Sequence, residues 1–297
     1  MINDFHAHFI PESIGKHTSF FKGVWSDKQA FTRFLDENNI AKAHIVYPST
    51  DAYLKIGWQD LAEKYNREIL AFMEEGQGRI IGSALVPLEG EIAEGFLSGL
   101  KSKGFRSISL PSSHEGKFIV DKFRDVLGFA EKYRLSVFIH PQIINPIGFE
   151  RVKDPLLMPV FEYSFDVSMC LGLFMMEGVF RDFTNLRVVF SSLSGVAPFL
   201  KDRFDGVYQM LKSRGMVKDL GDTPSSIMKQ AYVDLSGIKS ESMVRTAVEF
   251  FGGEHIIFGS DYPANRDISA QLKALDFLNS EATERIMIEN FLGVLGL

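Results

Sequence analysis

The sequence predicts a (β/α)8 barrel, distorted by long loops after strands one and five, with one domain over residues 1–297. Three observations predict it. Short apolar runs rich in Val, Ile and Phe recur eight times, helix-length segments lie between most of them, and the chain of 297 residues is slightly longer than the roughly 250 of a typical barrel. Connections of that length make neighbouring strands parallel, because each must carry a right-handed crossover. A doubly wound open sheet is the alternative. It would place a Gly-rich phosphate loop after its first strand, where this chain has Asp4-Phe5-His6-Ala7-His8.

The predicted strands are Ile2–His6, Ala43–Tyr47, Ile80–Val86, Arg106–Leu110, Ser136–His140, Arg187–Phe190, Ala231–Leu235 and Ile256–Gly259. The intervening segments have helical periodicity and recognisable ends. Ser26 is the expected N-cap before Phe31, Phe34 and Leu35, and Ser240 opens a stretch that stops at Gly252-Gly253. Two connections are too long for plain βα turns, Phe9 to Trp25 and Pro141 to about Tyr163. Both leave the C-terminal ends of strands, where barrel active sites lie, so both are candidate substrate walls. No repeat, low-complexity tract or Pro/Gly/Ser linker marks a boundary.

Composition narrows the function classes. Lys+Arg total 32 against 38 Asp+Glu, a formal charge of -6, which leaves no footprint for nucleic acid or an anionic membrane and points to a small-molecule substrate. The single cysteine, Cys170, reads as a small buried residue and fits a reducing, cytoplasmic setting. The most apolar run, Met169 to Met176, is interrupted by Gly172 and too short to span a bilayer.

Polar residues collect at the predicted strand ends: His6 and His8 on the first, His140 on the fifth, Ser191-Ser192 on the sixth, Asp234 on the seventh and Asp261 past the eighth. His6 and His8, two positions apart on a strand, point the same way and form a natural pair of ligands for a divalent ion. His140 is held extended by Pro141. Asp261 alone would be a turn residue; beside three histidines it can ligate the ion and take a proton from water that the ion acidifies. His44 reads as a structural histidine within strand two, His17 as a loop residue able to enter the pocket, and His114 and His255 as exposed loop positions. Arg151, Lys153 and Arg266, on loops beside the rim, are candidate partners for an anionic substrate.

With these motifs the chain resembles the amidohydrolase superfamily, and more closely its amidohydrolase-related branch, which includes aminocarboxymuconate-semialdehyde decarboxylase. The matching stretches are Asp4-Phe5-His6-Ala7-His8, Val137-Phe138-Ile139-His140-Pro141, Tyr232-Val233-Asp234-Leu235-Ser236-Gly237 and Phe251 through Pro263. The resemblance implies one divalent ion, usually zinc in the decarboxylases, held at His6, His8, His140 and Asp261. Manganese, iron or cobalt would suit the same set. It also implies a possible homodimer. One position departs from the family: Ser192 stands where a histidine usually sits beside the reacting water, which leaves metal binding intact and removes the usual base.

The reading placed first is a metal-dependent hydrolase of a small anionic lactone, ester or amide, with Asp261 shuttling the proton and Ser192 in the catalytic position. The alternative is a decarboxylase of an unsaturated or aromatic acid. A reading of another class is a ligand-binding barrel that has lost catalysis with the histidine.

Overall fold

A computed structural model describes residues 1–297, the side chain of Asp121 excepted. Eight parallel strands pair in chain order: β1 (Ile2–Ala7), β2 (Ile40–Ile45), β3 (Ile80–Leu85), β4 (Ser107–Pro111), β5 (Ser136–His140), β6 (Val188–Phe190), β7 (Tyr232–Asp234) and β8 (Ile256–Ile257). The ends of the sheet meet. Phe5 N donates to Phe258 O at 2.9 Å, Asp261 N to His6 O at 2.8 Å and His8 N to Tyr262 O at 2.7 Å, so the sheet is a nearly closed (β/α)8 barrel.

Helices alternate with the strands: α1 (Lys28–Glu37), α2 (Trp58–Glu75), α3 (Glu94–Ser102), α4 (Arg124–Lys132), α5 (Tyr163–Met176), α6 (Lys201–Ser213), α7 (Glu241–Phe251) and, after β8, α8 (Asn290–Leu295). The first of them corrects the expected cap. Asp27, not Ser26, accepts from Ala30 N at 2.9 Å, because Ser26 is already committed to a 3-10 turn over Gly23–Ser26. Ser240 does precede α7, and Gly252, with φ +81°, ends it.

The barrel interior is a packed plug of Phe5, Val46, Ile81, Phe138, Val189 and Ile257, closed from below by Phe291, Val294 and Leu295 of α8. The β1–β2 register shifts between Asp4 and Ala7. Phe5 and His6 therefore both reach the interior, their rings 6.1 and 4.9 Å from that of Phe138. The plug fills the lower barrel, so the polar strand ends meet only at the upper rim. His44 belongs below them, fully buried, between Phe5 O and Ser107 Oγ.

Both long connections are present, with Glu12–Gly15 and Gly23–Ser26 forming short turns in the first and Ile147–Glu150 and Met158–Glu162 in the second. Cys170 is buried on α5. Met169 and Phe165 of that helix, with Phe161 and Leu157 before it, leave an apolar stripe exposed. No helix among the described residues is long and apolar enough to cross a membrane.

Candidate metal centre and active site

Three imidazoles converge at the rim through their Nε2 atoms. His6 Nδ1 faces Asp234 Oδ2 at 2.7 Å, His8 Nδ1 faces Val46 O at 2.9 Å and His140 Nδ1 faces Pro141 O at 2.8 Å. Each of those partners can only accept, so each Nδ1 carries the proton and each Nε2 is left with its lone pair. His6 Nε2 and His8 Nε2 stand 3.1 Å apart, and ligand atoms of all three histidines lie within 4.8 Å of one another. Two lone pairs at that distance repel unless a proton or a cation lies between them. Two bonds of about 2.0–2.1 Å to one small tetrahedral ion would hold nitrogens roughly 3.3 Å apart, so the set fits a divalent metal.

Asp261 stands beside two of the three, with Oδ1 3.3 Å from His8 Nε2 and 3.7 Å from His6 Nε2. It adopts φ +64°, held by its amide bond to His6 O and by Asn265 N, which donates to its carbonyl. Its side chain is 31% exposed, whereas the histidines are buried.

The electrostatics ask for positive charge at this point. Burial pulls His6 down, but the Asp234, Asp261 and Asp4 carboxylates outweigh it and its pKa ends above the usual value. Burial, followed by the positive charge of its neighbours, pushes His140 well below, while burial is the main cause that lowers His8. Asp234 is itself buried, which would raise it, yet His6 and its hydrogen bonds hold it ionised below the ordinary range. One cation at His6 satisfies this charge balance, and a metal ion can replace the proton there.

Two carboxylates support the histidines from behind. Asp234 Oδ1 accepts from Ser192 N at 2.8 Å, Ser236 N at 2.9 Å and Ser236 Oγ at 2.6 Å, which fixes the oxygen that faces His6. Asp4 accepts from Ser260 N at 2.9 Å and His6 N at 3.1 Å and thereby ties β1 to the turn that carries Asp261. Burial raises Asp4 to about 6, against the pull of the Ser260 hydrogen bonds. Gly259 makes this packing possible, since a Cβ there would sit 2.7 Å from His6 Cβ.

A cavity of about 1360 Å³ opens above the histidines. Its apolar walls come from the two long loops, with Phe20, Phe21 and Trp25 from the first and Pro155, Pro159 and Tyr163 at the end of the second. Ser191, Ser192, Ser236 and Arg266 contribute polar atoms. Ser192, Leu193 and Ser194 take φ values of +51°, +58° and +56°, and the Ser192 hydroxyl meets that of Ser236 at 2.9 Å.

The structure brings His6, His8, His140, Asp261, Ser192 and Arg266 to this cavity and leaves three expected residues outside it. Arg151 pairs with the buried carboxylate of Glu162 at 2.7 Å and is not among the lining residues, because that ion pair holds it against its own loop. His17 follows the Glu12–Gly15 turn, donates its amide to Ile14 O and lies off the lining. Lys153 reaches Glu150 at 3.1 Å instead. His114 also departs from expectation, being buried rather than exposed, and His255 is half-buried against Tyr232. Sequence reasoning placed Asp234 at the rim without a partner and missed Asp4 and Trp25; only strand order shows which side chains they face.

A family model described as Amidohydrolase matches residues 4–290. A 6-methylsalicylic acid decarboxylase from Penicillium expansum is 24% identical over 161 residues, covering 53% of this chain and 47% of that protein. The chain thus spans about half the length of the curated relatives it matches. Among solved structures, 5-carboxyvanillate decarboxylase LigW from Sphingomonas paucimobilis superposes with a TM-score of 0.85 at 15% identity, covering 100% of this chain and 99% of that one. A 5-carboxyvanillate decarboxylase from Novosphingobium aromaticivorans with bound manganese gives 0.79 at 17%, covering 100% and 97%. At these identities the superpositions establish the fold, while the match over residues 4–290 places the chain in the amidohydrolase family of enzymes.

Proposed function

We propose that this protein is a divalent-metal-dependent decarboxylase of a 2-hydroxyaromatic carboxylic acid. One observation carries the reading: ring nitrogens of three histidines, with Asp261 beside two of them, share the floor of a cavity whose walls are aromatic and prolyl side chains. The named relatives support it further, since 6-methylsalicylate and 5-carboxyvanillate both bear a hydroxyl beside a carboxyl on a benzene ring. The hydrolase reading, placed first on residues alone, has no comparable support from these relatives.

His6, His8 and His140 would hold the ion, which would supply positive charge that draws in and orients the acid, while the hydroxyl oxygen beside the carboxyl feeds electrons to the ring carbon. Trp25 and Phe20 offer apolar faces for the ring, and Arg266 a cation at the mouth for a peripheral oxyanion. Asp261 would relay a proton to the ring carbon that bears the carboxylate. The bond to the carboxylate then breaks, its electron pair restores the aromatic ring, carbon dioxide leaves, and Asp261 takes a fresh proton through its exposed edge. Ser192 has no basic group to contribute. Decarboxylation needs an acid at this step rather than a base, and so tolerates the serine better than hydrolysis does.

The test is incubation of zinc- and manganese-loaded protein with 6-methylsalicylate and 5-carboxyvanillate beside a panel of aryl esters and lactones. Carbon dioxide and the matching phenol in equal amounts, lost in Asp261→Asn and lost together with the metal in His6→Ala, are expected. Ester or lactone turnover without carbon dioxide would return the hydrolase reading. Binding of the acids with no turnover of any kind would mean a ligand-binding barrel.

A further inference from the structure

The loop that leaves β4 carries a second donor cluster. Ser113–His114 and Lys117–Phe118 form a two-stranded hairpin, turned at Glu115 and Gly116 with φ +49° and +74°. His114 is only 5% exposed, and its ring stands edge-on to Trp58 and Tyr53, which stack on each other at 4.6 Å. Neither of its ring nitrogens has a hydrogen-bond partner among the described residues. A buried imidazole without partners has lost its hydrogen bonds to water with nothing in exchange. The carboxylates of Glu115 and of Glu89, from the loop after β3, are exposed, and one ligand atom from each lies within 4.8 Å of the other and of His114. His114 Nε2 is 3.9 Å from Glu115 Oε1.

We infer that Glu89, His114 and Glu115 form a second divalent-cation site, separate from the three-histidine centre and independent of the proposed reaction. The donor set is one neutral nitrogen and two anionic oxygens, which suits zinc, manganese or cobalt and leaves positions open to water. The exposed glutamates can close on an ion arriving from solvent, and His114 is already locked by its aromatic neighbours. The Lys122 ammonium donates to Leu88 O at 2.5 Å, and its positive charge, which is felt at His114, is opposed there by both glutamates. An ion here would join the β3 and β4 loops. The hairpin starts from Ser112, whose amide donates to His140 O at 2.7 Å, so that brace would stiffen the backbone beside the active-site histidine.

The experiment is equilibrium dialysis against micromolar zinc, with elemental analysis of the wild type, Glu89→Gln/Glu115→Gln, His6→Ala and the triple variant, and thermal melting of each with and without zinc. Two equivalents per chain are expected in the wild type, one in the double variant, one in His6→Ala and none in the triple. Zinc should raise the melting temperature of His6→Ala but not of the triple variant. The exposed glutamines leave the core untouched, so the comparison of wild type with the double variant stands even if His6→Ala fails to fold. Equal zinc in wild type and double variant would overturn the second site. Equal zinc in wild type and His6→Ala, with one equivalent lost in the double variant, would overturn the three-histidine centre and leave the second site standing.

Discussion

His6 Nδ1 lies 2.7 Å from Asp234 Oδ2, a contact between the first and seventh strands that joins residues 228 apart in the chain. It fixes the imidazole tautomer and makes Nε2 the better donor, the role that outer-sphere carboxylates have in metal sites. Asp234→Asn keeps the shape and loses the charge. We expect metal affinity to fall about 10- to 100-fold with the fold retained, read by competition with a chromogenic chelator. Unchanged affinity would show that Val46, Pro141 and packing suffice to orient the ligands.

Gly259→Ala tests the packing beneath that pair. The new methyl would sit 2.7 Å from His6 Cβ and 3.5 Å from Asp234 Cβ, so either β1 or β8 must move. A loss of about 1–3 kcal/mol in urea unfolding is expected, together with weaker metal binding. Stability lost with metal affinity intact would mean that the barrel yields elsewhere.

Ser192→His restores the imidazole usual in the family. The position has φ +51°, a conformation histidine adopts more readily than most residues, so the variant should fold. If the serine limits proton transfer, kcat/KM for the aromatic acid should rise by about 10²-fold or more. No gain would show that Asp261 already meets the need for an acid.

Arg266→Met should raise KM for the acid about tenfold while kcat changes little, because the guanidinium would bind substrate and transition state alike. Arg151→Met should leave KM unchanged. It should instead lower stability by about 1–3 kcal/mol, since Glu162 is buried and loses its ion pair. A KM effect at Arg151 would place substrate on the second loop rather than at the mouth formed after β8.

Two buried groups make opposing contributions to the pH dependence of stability. Burial depresses His44 from the usual 6.5 to about 4, so its contribution is full above 6.5 and is lost as pH falls toward 4. Asp4, raised to about 6, acts the other way and contributes as pH falls below 6. His44→Gln removes the first. Between about pH 7 and about pH 5 the wild type should lose roughly 2 kcal/mol more than the variant, measured by urea unfolding at equal metal loading. Equal losses would mean that His44 titrates as it does in the unfolded chain.

The alternation of apolar runs with helical segments made the barrel readable, because strand and helix periods depend only on local residue types. His6, His8, His140 and Asp261 were readable for a related reason. Each stands at a strand end, and a barrel brings all strand ends to one rim whatever the loops do. Arg151 and His17 were not, since a loop side chain goes where its nearest partner holds it, and those partners, Glu162 for one and the Glu12–Gly15 turn for the other, appear only in space. The hairpin that buries His114 against Trp58 escaped for the same reason. Residue order alone determined the class of fold and the candidate ligands. Tertiary structure decided that Asp234 and Asp4 stand behind them, that Trp25 walls the cavity and that Arg266 alone among the expected cations reaches it, because hydrogen bonds and packing between distant strands obey distance and not spacing along the chain.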